Sequence, residues 1–197
     1  MGLRAKSAIE SLVFILSWPL RKLAIDASKL VRLLKVIRLQ SKSAHKIPIT
    51  TQFDGKVELS GTGNVVFGEH CRLGDGVYIE TVGEGRIQLG DNVRINKGTL
   101  ISARTSIIIG HDTLVGEYVS IRDANHGIEP NQLIRLQEHN SASIEIGDDV
   151  WVARGSVVLK GAKIGSGTIV AANSVVNSCL GDCKIYAGAP ARLIRER

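Results

Sequence analysis

Apolar residues recur every six positions through the second half of the chain, at Ile146, Val152, Val158, Ile164, Val170 and Val176. The same interval joins Phe67, Leu73 and Ile79, then Leu89, Ile95 and Ile101, then Ile109, Val115 and Ile121, with short interruptions between the groups. Neither the 3.6-residue helical period nor the two-residue strand alternation produces this interval. The next position is usually tiny, at Gly68, Gly74, Gly90, Gly110, Gly116, Gly147, Gly165 and Ala171, which suits a corner. The fourth position after the apolar residue is small or β-branched, at Cys71, Val77, Val93, Thr99, Thr113, Val119, Val150, Ser156, Ala162, Thr168 and Ser174, and must also point inward.

A hexad with two inward side chains and a turn buries nothing alone, so the repeat must stack. Three hexads make one triangular coil of eighteen residues, the step from Ile146 to Ile164. The pattern therefore predicts an all-β parallel β-helix solenoid of about five or six coils, cored by ladders of Val, Ile and Leu.

The first fifty residues follow another pattern. SLVFILSWPL at 11–20 is an apolar run of ten closed by Arg21 and Lys22, too short to cross a bilayer. Glu10 abuts it and no small-x-small site follows, so we expect no cleaved secretory signal. From Leu20 onward Leu23, Ala24, Ala27, Leu30, Val31, Leu34 and Ile37 share one helical face, with Arg21, Lys22, Lys29, Arg32 and Lys35 opposite, while Leu33, Val36 and Arg38 blur the edges. Such a helix suits peripheral contact of residues 1–45 with an anionic membrane, Phe14 and Trp18 entering the acyl boundary. It equally suits an N-terminal cap over the open first coil. The polar stretch 41–48 reads as a linker, dividing a basic amphipathic helical arm, 1–46, from a solenoid domain, 47–197, with a loop inserted at about 123–143.

Charge follows that division. Residues 1–50 carry ten Lys or Arg against Glu10 and Asp26, whereas the remainder is slightly acidic, fifteen against seventeen. Nucleic-acid binding by the solenoid gains no support. Three cysteines argue against a disulfide framework and point to a reducing cytoplasm. Cys179 and Cys183 have no second pair to complete a zinc site, so no metal is expected.

The beat stops after Ile121 and resumes at Ile144 and Ile146, an excursion of about twenty residues. Long loops on rigid scaffolds usually carry function. His126 lies at its root, where a general base could be held, since an imidazole titrates at about 6.5. Asp123, three residues earlier, could fix its tautomer. A lone loop histidine can equally be an ordinary polar residue.

The hexads together with IRDANHGI at 121–128, GDDVWVARGSVVLKGAKIGSGTIVAANSVV at 147–176 and AGAPARLIRER at 187–197 resemble the hexapeptide-repeat acyltransferases, most closely those that O-acetylate polysaccharide and lipopolysaccharide sugars. The likeness covers roughly residues 55–197 and implies a left-handed parallel β-helix with a short C-terminal tail. It also implies a homotrimer with sites between adjacent solenoids, acetyl-CoA as acyl donor and a sugar or glycan hydroxyl as acceptor. His126 would then deprotonate the hydroxyl for direct attack on the thioester, at the inner face of the cytoplasmic membrane if the arm binds there. The Arg154 N–H would face the oxyanion, a donor commonly worth roughly 3 to 4 kcal/mol. Trp151, Ala153, Ala171 and Ala172 would line the donor groove. Either Arg154 or Lys160, Lys163 and Arg192 would hold the CoA phosphates. Ala153 and Ala171 stand where glycine is frequent in the family, and Ser178 where lysine often stands.

Other classes remain. An amine or serine acceptor would use the same base, and a non-catalytic scaffold would need neither the loop nor His126. A carbonic anhydrase on this solenoid needs three histidines, two of them close in sequence, and His70, His111, His126 and His139 show no such pair.

Overall fold

The computed structural model describes Phe14, Ser17 and residues 29–197 of the chain. The apolar run 11–20, apart from Phe14 and Ser17, and the expected helix from Leu20 to Ala27 lie outside the described residues. Short parallel strands stack into three sheets, which form the faces of a triangular solenoid. Face A climbs from Gln52–Phe53 through Arg72–Leu73, Arg94–Ile95, Leu114–Val115, Trp151–Val152 and Ile169–Val170 to Lys184–Ala187. Faces B and C carry six strands each, so six coils are complete and face A begins a seventh. That exceeds the five or six coils expected from the pattern. Phe53 and Leu59 lie six apart but Phe67 follows eight later, which hides the first coil, and a C-terminal hairpin supplies the last rung.

Register follows the hexads. Leu73, Ile95, Val115, Val152 and Val170 stack on face A; Ile79, Ile101, Ile121, Val158 and Val176 on face B; Leu89, Ile109, Ile146, Ile164 and Leu180 on face C. All are buried, and each such side chain contributes roughly 1.5–3 kcal/mol of burial. The fourth-position residues are buried too, and their hydroxyls satisfy backbone groups: Thr99 donates to the Gly116 carbonyl at 2.8 Å and Thr168 to that of Gly181 at 2.7 Å. Cys71 belongs to this row; burial pushes its thiol up to about 11, which leaves it packing rather than chemistry.

The small residue after each apolar one has a different cause from the one its position suggested. Gly116 is not left-handed; a Cβ there would meet the backbone nitrogen of Arg154, one coil on, at 2.6 Å. Positive φ falls two residues later, at Gly76, Gly98, Tyr118, Gly155 and Asn173 around the corner from face A to face B.

A helix at 29–40 lies over the N-terminal end. Val36 and Leu39 join Ile47 and Phe53 in the core, and Lys35 Nζ donates to the Phe53 carbonyl at 2.9 Å. The Ile47 N–H donates to the Gln40 side chain at 2.8 Å, closing the link to the solenoid. No helix among the described residues is long and apolar enough to cross a membrane.

Candidate active site

The excursion leaves the corner between faces B and C. Asp123, wholly buried, clamps its root: the carboxylate accepts the N–H groups of Arg104 (2.8 Å), Thr105 (2.7 Å) and Ser106 (2.9 Å) from the coil below. The Asp123 carbonyl accepts the N–H of Ala142 at 2.9 Å, where the excursion returns. In between, Ala124–His126 pairs antiparallel with His139–Ser141, and beyond them Gln137 bonds Glu129 and Gln132 across the loop. Lys160 Nζ donates to Asn140 Oδ1 at 2.7 Å and braces this ribbon from the coil above.

His126 stands opposite His139 across the ribbon, ring centroids 4.3 Å apart at 42°. Both are exposed. Desolvation, then the Arg104 cation, then His126 hold the His139 pKa below the ordinary histidine value. Arg104, Glu138, His139 and Ser141 line a surface pocket of about 340 Å³ beside the pair. Among the described residues no hydrogen bond joins Asp123 to His126. The carboxylate is spent on three backbone donors, so the orienting role that the three-residue spacing suggested for Asp123 has no geometry behind it. The ring that lies against His126 is His139.

A second cluster forms at the corner between faces A and B. Trp151 projects outward from face A, 50 % exposed, in a ladder with Leu114 below and Ile169 above. Ala153 is buried and Ala171 half-buried, and their N–H groups hold the stack through Val170 and Tyr186. Arg154 and Ala172 sit at the turn itself, and their N–H groups donate to no acceptor among the described residues. The Arg154 guanidinium lies 5.9 Å from the centre of the Tyr118 ring. Tyr118 holds φ at 56°, where neighbouring coils place Gly98 or Gly155, and a bulky side chain is strained there.

These two clusters do not meet within one chain. The ribbon of His126 leaves the B–C corner, and face A, with Trp151, lies opposite that corner across the solenoid. Of the four basic candidates Arg154 stands at the A–B corner and Arg192, exposed and paired with Ala187 in the terminal hairpin, lies one coil above Ala171 at the same end of face A, whereas Lys160 braces the ribbon and Lys163 pairs with Glu145 on face C at 2.9 Å. Tyr118, His139 and Arg104 were not singled out from the sequence as parts of a site. Tyr118 does carry a signal, an aromatic where the repeat calls for glycine; His139 and Arg104 become neighbours of His126 only through the ribbon's register. Among the described residues no group of three or more His, Cys, Asp or Glu side chains is gathered to hold a metal.

The bacterial transferase hexapeptide family model, of six repeats, matches residues 143–178. WbbJ of Escherichia coli (strain K12), provisionally named a lipopolysaccharide biosynthesis O-acetyl transferase, is 35 % identical over 142 residues, covering 68 % of this chain and 72 % of that protein. The chain belongs to the hexapeptide-repeat acetyltransferase family. A further member, the galactoside O-acetyltransferase of Lactococcus lactis subsp. lactis (strain IL1403), is 26 % identical, covering 74 % of this chain and 70 % of its own. The fold is shared with the solved structure of AntD, an N-acyltransferase from Bacillus cereus in complex with dTDP and 3-hydroxybutyryl-CoA. That likeness has a TM-score of 0.65 at 19 % identity and covers 75 % of this chain and 80 % of that one.

Proposed function

We propose that this acetyltransferase is acetyl-CoA-dependent and acts on a sugar hydroxyl of a surface polysaccharide or lipid-linked glycan, with His126 as general base. The observation that carries this is the ordered ribbon, which holds a solvent-facing imidazole on a braced support rather than on a loose loop. Relatives named for lipopolysaccharide biosynthesis and galactoside O-acetylation favour a sugar acceptor.

The A–B corner fits the donor. Ala153 and Ala171 leave room beside the stack, and the N–H groups of Arg154 and Ala172 are without protein acceptors among the described residues. Acetyl-CoA brings the acetyl group as a thioester. Trp151 and Ala172 line the donor's path and the Arg154 N–H faces the carbonyl oxygen as it gains charge. His126 accepts the hydroxyl proton as the sugar oxygen bonds to the acetyl carbon, and returns it to the sulfur as the carbon–sulfur bond breaks, leaving ester and free thiol. The Arg154 side chain, or Lys160, Lys163 and Arg192, would meet the phosphates, and Arg154 and Arg192 stand at the A–B end of face A. Because His126 and Trp151 lie on opposite sides of one solenoid, we take each site to form between copies, in a homotrimer. The arm would bring this assembly to the inner face of the cytoplasmic membrane.

Calorimetric titration with acetyl-CoA tests the donor, and acetyl transfer to candidate sugars by the intact protein and by His126→Ala tests the base. We expect the variant to bind acetyl-CoA as the intact protein does while transfer falls about 10²–10⁴-fold. A folded protein that binds no acetyl-CoA, or a variant that transfers at the full rate, overturns the proposal.

A further inference from the structure

The helix at 29–40 is docked by the narrower of its two apolar sides. Val36 and Leu39 enter the core, whereas Leu30, Leu34 and Ile37, one turn apart on the opposite side, remain 55–58 % exposed, with Leu33 and Val31 beside them. The face that the periodicity marked as apolar is thus the one turned away from the solenoid. An exposed leucine is unremarkable alone, but a continuous stripe along a helix already fixed by its other side marks a surface built for a partner. Arg38 borders this stripe, whereas Arg32 lies on the docked side in line with Val36 and Leu39.

Charge decides the partner. The described residues 29–50 hold six Lys or Arg and no carboxylate while residues 51–197 are slightly acidic, so basic surface is gathered at this end. Packing the stripe against a second copy would set a basic segment without carboxylates against itself, a like-charge juxtaposition. An anionic bilayer offers apolar depth for the leucines and negative headgroups for the flanking cations.

We infer that this helix is a two-sided adaptor: Val36 and Leu39 seal the first coil, and Leu30, Leu33, Leu34 and Ile37 lie in the interface of an anionic membrane, setting the solenoid with its N-terminal end on the lipid. The inference rests on the proposed membrane-side role for its biological setting, but binding is read without donor or acceptor, so either can fail alone.

The test is partition of the full-length protein onto phosphatidylcholine vesicles, with or without about one third phosphatidylglycerol. Leu34→Gln/Ile37→Gln removes the stripe without altering charge, and Leu39→Ala probes the docked side. We expect at least tenfold stronger partition onto the anionic vesicles, at least tenfold loss in the double variant with its thermal midpoint unchanged, and a lowered midpoint for Leu39→Ala. Equal partition onto both vesicles, or full binding by the double variant, overturns the inference. So does a change of oligomeric mass in the double variant on sedimentation, which would make the stripe an interface between copies.

Discussion

The imidazole rings of His126 and His139 lie 4.3 Å apart, one from each strand of the ribbon that leaves the solenoid. Desolvation, then the Arg104 cation, then His126 disfavour charge on His139. His139 is thereby kept as a neutral support for His126. His139→Phe, which keeps a ring against His126, is expected to retain acetyl transfer about ten- to a hundredfold better than His139→Ala. Equal loss in both would show that the stack does not position the base.

The depressed pKa of His139 has a pH signature. A histidine whose folded pKa is lowered contributes order that is complete above the unfolded value of about 6.5 and is lost as pH falls through the lower, folded one. Arg104→Gln removes a neighbouring cation, so the His139 midpoint should rise toward its ordinary value and the acid sensitivity of the ribbon should shrink. Imidazole proton shifts followed by NMR across pH 4–8 read both; an unmoved midpoint would exclude Arg104 as a cause.

Asp123 is expected to matter for folding rather than for the pH profile. Asp123→Ala leaves the N–H groups of Arg104, Thr105 and Ser106 without their charged acceptor, a loss of about 3 kcal/mol by denaturant unfolding. Asp123→Asn should fall between, since an amide oxygen can still accept one of these bonds. Unchanged stability with a collapse of activity would return Asp123 to the role of partner to His126.

The solenoid was legible because its core has a period no other architecture shares: every hexad residue from Phe67 to Val176 is buried, and so are the small residues named four places on. The excursion was legible as a gap in that period, and His126 as the residue at its root. What the spacing could not carry was the direction of side chains at the gap. Asp123 lies three residues from His126 in the chain, yet a strand alternates faces, and its carboxylate turns inward to the coil below while the imidazole turns out. His139, thirteen residues away, becomes the neighbour because a hairpin register puts it there. In the arm, Val36 looked like a blemish on the apolar face, but it is one of the two residues that dock the helix.

Tyr118 is a place where stability and ligand binding should trade. Its left-handed φ of 56° is strained for a large aromatic, while its ring lies under Arg154 at the proposed donor corner. Tyr118→Asn, which tolerates that conformation, should raise stability by about 1 kcal/mol and weaken acetyl-CoA binding. Thermal unfolding and calorimetry on the same sample decide it; a variant that is less stable and binds normally would make Tyr118 a packing residue.

The opposition of His126 and Trp151 across one solenoid makes a prediction about mixed assemblies. Trp151→Ala should weaken donor binding and His126→Ala should remove the base, so each homomer is expected to be nearly inactive. Where sites form between copies, a Trp151→Ala chain still offers an intact His126 to the intact Trp151 of a His126→Ala neighbour. In a closed ring of three, every mixed assembly has one of its three interfaces of that kind whichever variant is in the majority, so activity should return to about a third of the intact level. Co-expression of the two variants with different affinity tags, followed by tandem purification and an acetyl-transfer assay, measures it. Mixed assemblies as inactive as their parents would mean that the ribbon serves a donor bound by its own chain, with Trp151 remote from the chemistry.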